Sequence, residues 1–438
     1  MLLIYTEKVT SRVKYIFGVF FDDLLGVPYE ITNDAENYQS FEGPKMAYSR
    51  QKPEEGTLFF QAKELLFERD INSPEIEFVD YKGVKGFFPV YDPESCFPFD
   101  MFSAAFFLLS RYEEYLPYRK DEHGRFPAKE SLAFQKEFLN IPIVNIWANQ
   151  FAEILKQNFP ELKTKKHKYS FLPTIDVDVA FAYTLRGPVR LVGAFVKSLL
   201  RFDVKDLLLR FKVLFRITED PFDTYTFILD LHKRYGLKTI FFILFGSYGQ
   251  YDKNIATTKS KFHVMIKHLS DFAEVGIHPS YDSNDSFDRL KRELRDLSRV
   301  VHKDIEKSRQ HFLKIQLPQT YRNLASLGIK DDYTMGYADA VGFRAGICTA
   351  FYFYDLDMDK ETRLRIHPFA VMEGTLKDYL NVPAEKGMSV IAPLIDQIKA
   401  VDGTFISLWH NETLSEQTQK AWRRLYIEML KYALPEKK

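Results

Sequence analysis

Acidic and imidazole side chains follow apolar, strand-like runs in the second half of the chain. Asp176 and Asp178 end the run that starts at Tyr169, and His278 follows the run 272–277. Two carboxylates one residue apart at a strand end can divide roles, one binding a cation and the other staying free as a base. A neutral imidazole at a strand end is a natural metal ligand. Taken singly, however, such aspartates equally fit helix caps, and a lone histidine is usually structural.

Two further polar clusters complete this pattern. Arg309 and His311 lie close together at 308–312, and His410 ends the run 404–409. The guanidinium could hold a carboxylate in its ionised form, His311 could offer a further ligand, and His410 could serve as a partner acid. An ordinary salt-bridge arginine and a histidine bonded to backbone are the structural alternatives. Together the four clusters supply the groups needed for metal-assisted amide or ester hydrolysis.

The elements around these clusters alternate between strands and helices. Strands are predicted from Tyr169, at 239–245, at 272–277 and at 405–409, with helices at 224–235 and through Leu290 to Val301. Thr413 and Glu416 have the spacing of a capping box and predict the start of a final helix. This alternation predicts a parallel α/β sheet or barrel, in which catalytic groups lie where strands end.

The first part of the chain has a different pattern. Short apolar runs between turn residues predict strands near 57–60 and 76–79, and helical spacing follows at 102–112 and 146–159. An α+β domain is the simplest interpretation. The basic, non-periodic segment 160–168 indicates a linker, so we place a smaller α+β domain at 1–165 and the α/β domain at 166–438.

Composition excludes several classes of protein. The 438 residues contain 60 Lys plus Arg and 60 Asp plus Glu, so no overall positive field favours nucleic acid. Cys96 and Cys348 are the only cysteines and cannot form a disulfide framework. The start, 1–12, lacks a signal-peptide pattern, and no stretch has the length and apolarity of a membrane span. We expect a cytoplasmic protein.

Basic and apolar residues are interleaved at 186–216. This composition could form a pair of amphipathic helices that makes peripheral contact with an anionic membrane, at the inner face of the cell membrane. A helical hairpin packed on the α/β domain is the structural alternative.

The sequence resembles the NodB-type polysaccharide deacetylases, carbohydrate esterase family 4, and in particular a bacterial two-domain branch with an N-terminal companion domain. The resemblance covers 166–438, and 109–115 resembles the companion domain. Its motifs are Thr-Ile-Asp-Val-Asp at 174–178, Gly-Ile-His-Pro-Ser-Tyr at 276–281, Arg-Gln-His-Phe-Leu at 309–313, Gly-Phe-Arg-Ala-Gly at 342–346 and Leu-Trp-His-Asn-Glu at 408–412. It implies a distorted (β/α) barrel preceded by the smaller α+β domain.

The resemblance also implies roles for individual residues. Asp176 aligns with the base. The metal position of the family falls on Val177, so chemistry rather than register assigns it to Asp178, and the two aspartates could exchange roles. His278 and His311 are the other expected metal ligands, with Asp282 as the alternative to His311. Arg309 is expected to position the base, with Arg344 as a rival for that role or a substrate contact. His410 is the expected general acid, and Tyr281 and Trp409 are the expected substrate contacts.

The function implied is a metal-dependent hydrolase that uses a divalent ion, with zinc expected, to remove N-acetyl groups from an amino sugar or oligosaccharide in surface-glycan biosynthesis. Two rivals stay open. One is an inactive carbohydrate-binding homologue, and the other is a metal-dependent amidase acting on a small amide, since a fold does not fix a substrate.

Overall fold

The computed structural model describes residues 1–165, 167–185 and 204–435. Each half contains a sheet flanked by helices, and one continuous set of buried apolar side chains extends through both halves. None of the helices within the described ranges has the length and apolar character needed to cross a bilayer.

The N-terminal half is built on a four-stranded sheet in the order β2-β1-β3-β4. Its elements are β1 (Leu2–Tyr5), α1 (Ser11–Phe17), β2 (Tyr29–Thr32), α2 (Ala35–Ser40), β3 (Lys45–Ser49) and β4 (Leu58–Gln61). All neighbouring strands are parallel, so the α+β prediction is wrong for this sheet. The reason is that α1 and α2 carry the chain back between strands, and such crossovers produce parallel pairs. Short apolar runs in a sequence do not reveal this direction.

The remainder of this half covers the sheet. It consists of the antiparallel hairpin β5 (Phe78–Tyr81) and β6 (Val84–Phe87) and the helices α3 (Met101–Leu109), α4 (Leu132–Gln135) and α5 (Ile143–Asn158). Every side chain of α3 is buried, and Phe102 packs edge-on against Phe17 and Phe151 with ring centroids 5.0 and 5.6 Å apart. The helices predicted near 102–112 and 146–159 are thus confirmed, and α3 lies at the centre of this half.

The C-terminal half contains a nine-stranded sheet in the order β12-β13-β11-β10-β9-β8-β7-β15-β14. Its strands are β7 (Ser170–Val177), β8 (Ile240–Leu244), β9 (Glu274–His278), β10 (Lys307–Ser308), β11 (Asp331–Asp332), β12 (Phe351–Asp355), β13 (Lys360–Ile366), β14 (Val371–Met372) and β15 (Thr404–His410). All pairs are parallel except β12 with β13, which confirms the predicted parallel α/β architecture.

The sheet does not close into a barrel through the strands that the structure describes. Strands β12 and β14 form its two edges and do not pair with each other. Strand β14 pairs parallel with β15 over only two residues, and β12 runs antiparallel to its neighbour β13. A closed barrel is therefore not found among the described strands, which form a mostly parallel sheet whose parallel strands end along a common edge.

Helices pack around this sheet. They are α6 (Val204–Leu214), α7 (Tyr225–Tyr235), α8 (Ser260–Phe272), α9 (Phe287–Val301), α10 (Gln319–Ser326), α11 (Gly387–Ala400) and α12 (Lys420–Ala433). The predicted apolar stripe of α9 is buried. The capping prediction at Thr413 is wrong, because α12 begins only at Lys420 and residues 411–414 form a 3₁₀ turn.

Buried charged side chains join the two halves. Glu114 accepts from Nε and Nη2 of Arg344 at 2.9 and 2.7 Å and from Nε of Arg111 at 2.8 Å. Arg111 also donates to Glu113, to the hydroxyl of Tyr337 and to the carbonyl of Arg344. We call Arg111, Glu114 and Arg344 the junction cluster. It fixes the N-terminal half against the loop that precedes β12.

Candidate active site

The carboxyl ends of β7, β9, β10 and β15 bring the sequence-predicted residues together. Asp176 pairs in register with His410 across β7 and β15, and His278 ends β9 two strands away. Because strand side chains alternate between faces, Asp176 and Asp178 point the same way and Val177 points away. We call Asp176, Asp178, His278, Arg309, His311 and His410 the site cluster.

Asp178 and two histidines have the arrangement of a metal site. Suitable ligand atoms of Asp178, His278 and His311 all lie within 4.8 Å of one another. Nε2 of His278 is 3.1 Å from Oδ1 of Asp178, and Nε2 of His311 is 3.3 Å from Oδ2. This is the carboxylate and imidazole donor set that suits zinc and related divalent ions.

Hydrogen bonds at the other imidazole nitrogens test whether these residues fit a cation. Nδ1 of His278 bonds the carbonyl of Arg309, which can only accept, and Nδ1 of His311 lies 2.8 Å from Oδ1 of Asp252. Nδ1 therefore carries the hydrogen in both rings, and in the neutral ring Nε2 presents a lone pair to Asp178. Oδ1 of Asp178, although close to His278, has no well-aligned donor among the described residues. A cation would satisfy all three groups.

Charge determines the protonation of these groups when no cation is bound. Burial alone would lower the pKa of His311, but the carboxylates of Asp178 and Asp252 outweigh it and raise that pKa to about 9. Burial likewise would raise the pKa of Asp178, yet the neighbouring histidines hold it well below its usual range. The pocket thus keeps the Asp178 carboxylate ionised and attracts positive charge, whether a proton or a metal ion.

Asp176 is held by a buried arginine. Nη1 of Arg309 donates to Oδ1 of Asp176 at 2.8 Å and to the hydroxyl of Thr174 at 2.7 Å, and Nε donates to the carbonyl of Tyr333 at 3.0 Å. Both Asp176 and Arg309 are almost completely buried. This charge-assisted pairing fixes the orientation of the carboxylate and leaves Oδ2 of Asp176 facing Nε2 of His278 at 3.7 Å.

His410 is oriented by a carboxylate that sequence reasoning missed. Oε1 of Glu373, which follows β14, lies 2.6 Å from Nδ1 of His410 and also accepts from its backbone N–H and from the hydroxyl of Thr413. Nε2 of His410 points to Oδ2 of Asp178 at 3.5 Å. Burial alone would lower the pKa of His410, but Glu373 and Asp178 raise it well above its ordinary value.

A cavity of about 190 Å³ opens above these groups. Its lining consists of Arg125, Asp176, Asp178, His278, Gln310, His311, Phe312, Leu313, Ala338, Met372, Gly374, Asp378, Tyr379, Leu408 and His410. Arg125 comes from the N-terminal half, and the other residues come from the strands of the large sheet and from the segments that follow them. The cavity gives a small molecule access to the site cluster.

The expected substrate contacts do not line this cavity. Trp409 lies on the opposite face of β15 from His410 and packs on Tyr426 with ring centroids 4.8 Å apart. Arg344 is buried in the junction cluster, and Tyr281 stacks beside Tyr251 outside the cavity wall. The alternative ligand Asp282 is exposed and pairs with Arg289 at 2.7 Å. We therefore do not assign direct substrate contacts to Arg344, Tyr281 or Trp409. Asp282 is likewise not assigned as a metal ligand.

The sequence analysis did not identify two carboxylates that accept hydrogen bonds from site histidines. Their position beyond the end of a strand could have indicated both. Asp252 lies in the loop after β8, and Glu373 follows β14 directly. Both are acidic residues beyond a strand end, like Asp176 and Asp178. Glu373 escaped notice because the preceding strand is only two residues long, and Asp252 because the seven residues 245–251 separate it from β8.

Comparisons with known proteins identify one family model and several structures. The model DUF7033, a family of unknown function, matches residues 2–160. No match was found among curated proteins. Similar solved structures include a candidate polysaccharide deacetylase from Mycobacterium smegmatis (12% identity, TM-score 0.41), a carbohydrate esterase family 4 pseudoenzyme from Bacillus anthracis (10%, 0.31) and a polysaccharide deacetylase from Bacillus cereus (10%, 0.29).

Each of these structural matches covers 61% of this chain, and they cover 84%, 62% and 88% of the three other proteins, respectively. All three have TM-scores below 0.5, so the chemistry of this site rests on its own geometry.

Proposed function

We propose that this protein is a metal-dependent hydrolase that removes N-acetyl groups from an amino sugar or a glycan precursor, in the biosynthesis of a surface polysaccharide. Zinc is the proposed ion, held by Asp178, His278 and His311. Asp176 and His410 carry the proton transfers, and Arg309 positions Asp176.

One observation supports this proposal above the others. The imidazoles of His278, His311 and His410 each have Nδ1 bound to an acceptor, and each turns Nε2 toward the carboxylate of Asp178. In their neutral form, the rings of His278 and His311 would direct Nε2 lone pairs, together with the carboxylate oxygens of Asp178, at one point. Such convergence is the arrangement of ligands around a cation.

The reaction assigned to this geometry is hydrolysis of an acetamide. A divalent ion held by Asp178, His278 and His311 would supply Lewis acidity for this reaction. Asp176, which is paired with Arg309, accepts the proton of the attacking water. His410, oriented by Glu373, donates a proton to the departing amine nitrogen, and its raised pKa suits an acid that must be protonated beforehand.

Three substitutions test the assignment. Asp176→Asn is expected to retain metal and to lower kcat for acetate release from an N-acetylglucosamine trimer by about a hundredfold to ten-thousandfold, because it removes the base. His278→Ala and Asp178→Asn are expected to lose metal and activity together. Metal content by mass spectrometry and acetate release are the two measurements. Asp288→Asn and His268→Ala, both exposed, are the matched controls.

The results separate the rival functions. Wild-type protein that binds sugar but retains no metal would indicate an inactive carbohydrate-binding protein. Bound metal with no acetate release from sugars, but with turnover of a small acetamide, would indicate an amidase. Equal metal content and activity in Asp176→Asn and His278→Ala would contradict the roles given to both residues.

We also propose that the protein contacts an anionic membrane surface near lipid-linked glycan precursors, at the inner face of the cell membrane. Of the predicted segment 186–216, residues 186–203 lie outside the described residues, but α6 exposes Val204, Leu208 and Phe211 at helical spacing, with exposed lysines beside them. Interleaved apolar and basic side chains favour anionic headgroups.

Co-sedimentation with vesicles of phosphatidylcholine and phosphatidylglycerol tests this contact. Wild-type protein should pellet with the vesicles at low salt. A double variant that carries Leu208→Ser and Phe211→Ser should bind the vesicles more weakly. Val264→Ser, which removes an equally exposed apolar side chain from α8, should not. Wild-type protein that stays in the supernatant with anionic vesicles would refute the proposal.

A further inference from the structure

A short turn of the N-terminal half reaches the cavity of the candidate active site. The carboxylate of Asp121 accepts from the backbone N–H of His123 at 2.9 Å and of Arg125 at 2.8 Å, and its carbonyl accepts from Gly124 at 3.0 Å. Gly124 has a φ of 76°, which glycine adopts without strain. These bonds fix the turn 121–125 as a rigid unit.

Arg125 connects this turn to two walls of the cavity. Its Nε donates to Asp121 at 2.7 Å, Nη1 donates to the carbonyl of Phe312 at 2.7 Å, and Nη2 donates to the hydroxyl of Tyr379 at 3.2 Å. Phe312 directly follows the candidate ligand His311, and Tyr379 lies at the open side. Arg125 is itself 94% buried, at 6% relative exposure, and lines the cavity.

The guanidinium of Arg125, which lines the cavity, retains hydrogen-bonding capacity. A guanidinium has five N–H bonds, and the three contacts above leave two of them without a partner among the described residues. Asp121 offsets the charge of Arg125, and Asp176, Asp178 and Asp378 also line the cavity. A neutral sugar oxygen therefore suits this donor better than a phosphate or a carboxylate, which the surrounding aspartates would repel.

His123 holds the same wall from the other side. Its ring centroid lies 4.8 Å from that of Phe312 and 5.6 Å from that of Tyr251, and its Nδ1 is 3.3 Å from the hydroxyl of Tyr281. Phe312 has a φ of 59°, a conformation that a phenylalanine adopts only when its surroundings enforce it. The turn 121–125 thus fixes the backbone next to His311 through both Arg125 and His123.

We infer that the N-terminal half completes the substrate cleft, and that Arg125 donates hydrogen bonds to an oxygen of the sugar that carries the acyl group. The identity of the sugar rests on the proposed function, whereas the place of the wall follows from the contacts of Arg125. The two halves are on this basis a single functional unit.

Calorimetric titration of the full-length protein with an N-acetylglucosamine trimer tests this inference. Arg125→Met, which keeps the apolar stem but removes the donors, should raise the Kd about tenfold to a hundredfold. Arg125→Lys should recover part of the affinity. Arg119→Met, at an exposed arginine of the same segment, should match the wild type. Metal content and the unfolding midpoint, measured in parallel, show whether each variant is folded. If Arg125→Met does not fold, the Kd of Arg125→Lys tests the inference in its place.

The outcomes distinguish this inference from the proposed function. An unchanged Kd in folded Arg125→Met, or no measurable binding of the trimer to the wild type, would overturn the role of Arg125. Displacement of the trimer by millimolar inorganic phosphate would overturn its assignment to a neutral sugar. Trimer binding that depends on Arg125 without any acetate release would refute the proposed hydrolysis and leave the inference standing.

Discussion

The site cluster and the junction cluster are both made of buried charged side chains, but their polar atoms are paired to different degrees. In the junction cluster, Glu114 accepts from both arginines and each arginine also donates to a carbonyl. In the site cluster, Oδ1 of Asp178 and Nη2 of Arg309 have no hydrogen-bond partner within the described parts of the chain. The arginine–carboxylate pairing of the junction cluster indicates a structural role, whereas a buried polar atom with no hydrogen bond at all indicates room for a ligand.

Two buried histidines show the same contrast. His232 lies between the hydroxyls of Thr239 and Tyr426, and burial lowers its pKa to about 3. His311 is equally enclosed, but its two carboxylate neighbours raise its pKa to about 9. Burial alone therefore does not create a reactive imidazole. Carboxylate neighbours do, because they make the charged ring or a bound cation favourable.

The largest expected effect concerns the junction cluster. Glu114→Gln removes the carboxylate between two buried guanidiniums and is expected to lower the free energy of unfolding by about 3–5 kcal/mol, because a buried charge without its partner is strongly unfavourable. Urea denaturation of metal-free protein measures this, with the exposed Glu153→Gln as control. Folded Glu114→Gln should still bind metal as the wild type does. A variant as stable as the control would show that the junction cluster does not stabilise the fold.

Much of the site could be predicted because buried parallel strands are recognisable as apolar runs. The ends of β7, β9 and β15 located Asp176, His278 and His410, and the structure brings these side chains together. Alternation along a strand carries further information, since it separates Trp409 from His410 and Val177 from Asp178. Applied consistently, it would have removed Trp409 from the substrate contacts.

Other features have no local signal in the sequence. Arg125 lies 51 residues before Asp176, in a turn with no strand beside it, and reaches the cavity only because the two halves pack together. The reverse holds for Arg344, which lies in a motif that resembles the family but has a structural role. It pairs with Glu114, which lies 230 residues earlier in the chain. Such pairings depend on tertiary packing, which neither spacing nor periodicity encodes.

A smaller effect on the free energy of unfolding is expected from the titration of His232. Its measurement tests the contrast between His232 and His311. Because the pKa of His232 in the folded protein, about 3, is below that in the unfolded chain, only the unfolded state binds the proton as the pH falls below about 6.5. The free energy of unfolding should therefore decrease by about 1.4 kcal/mol per pH unit between about pH 6 and pH 4 from this residue. His232→Gln removes the titrating ring, so its stability should fall less steeply with acid, although it is less stable at pH 7. Urea denaturation over this pH range, with the exposed His268→Gln as control, measures the slopes. If the wild-type and His232→Gln curves run parallel, His232 is not held neutral by burial, and the distinction drawn between it and His311 fails.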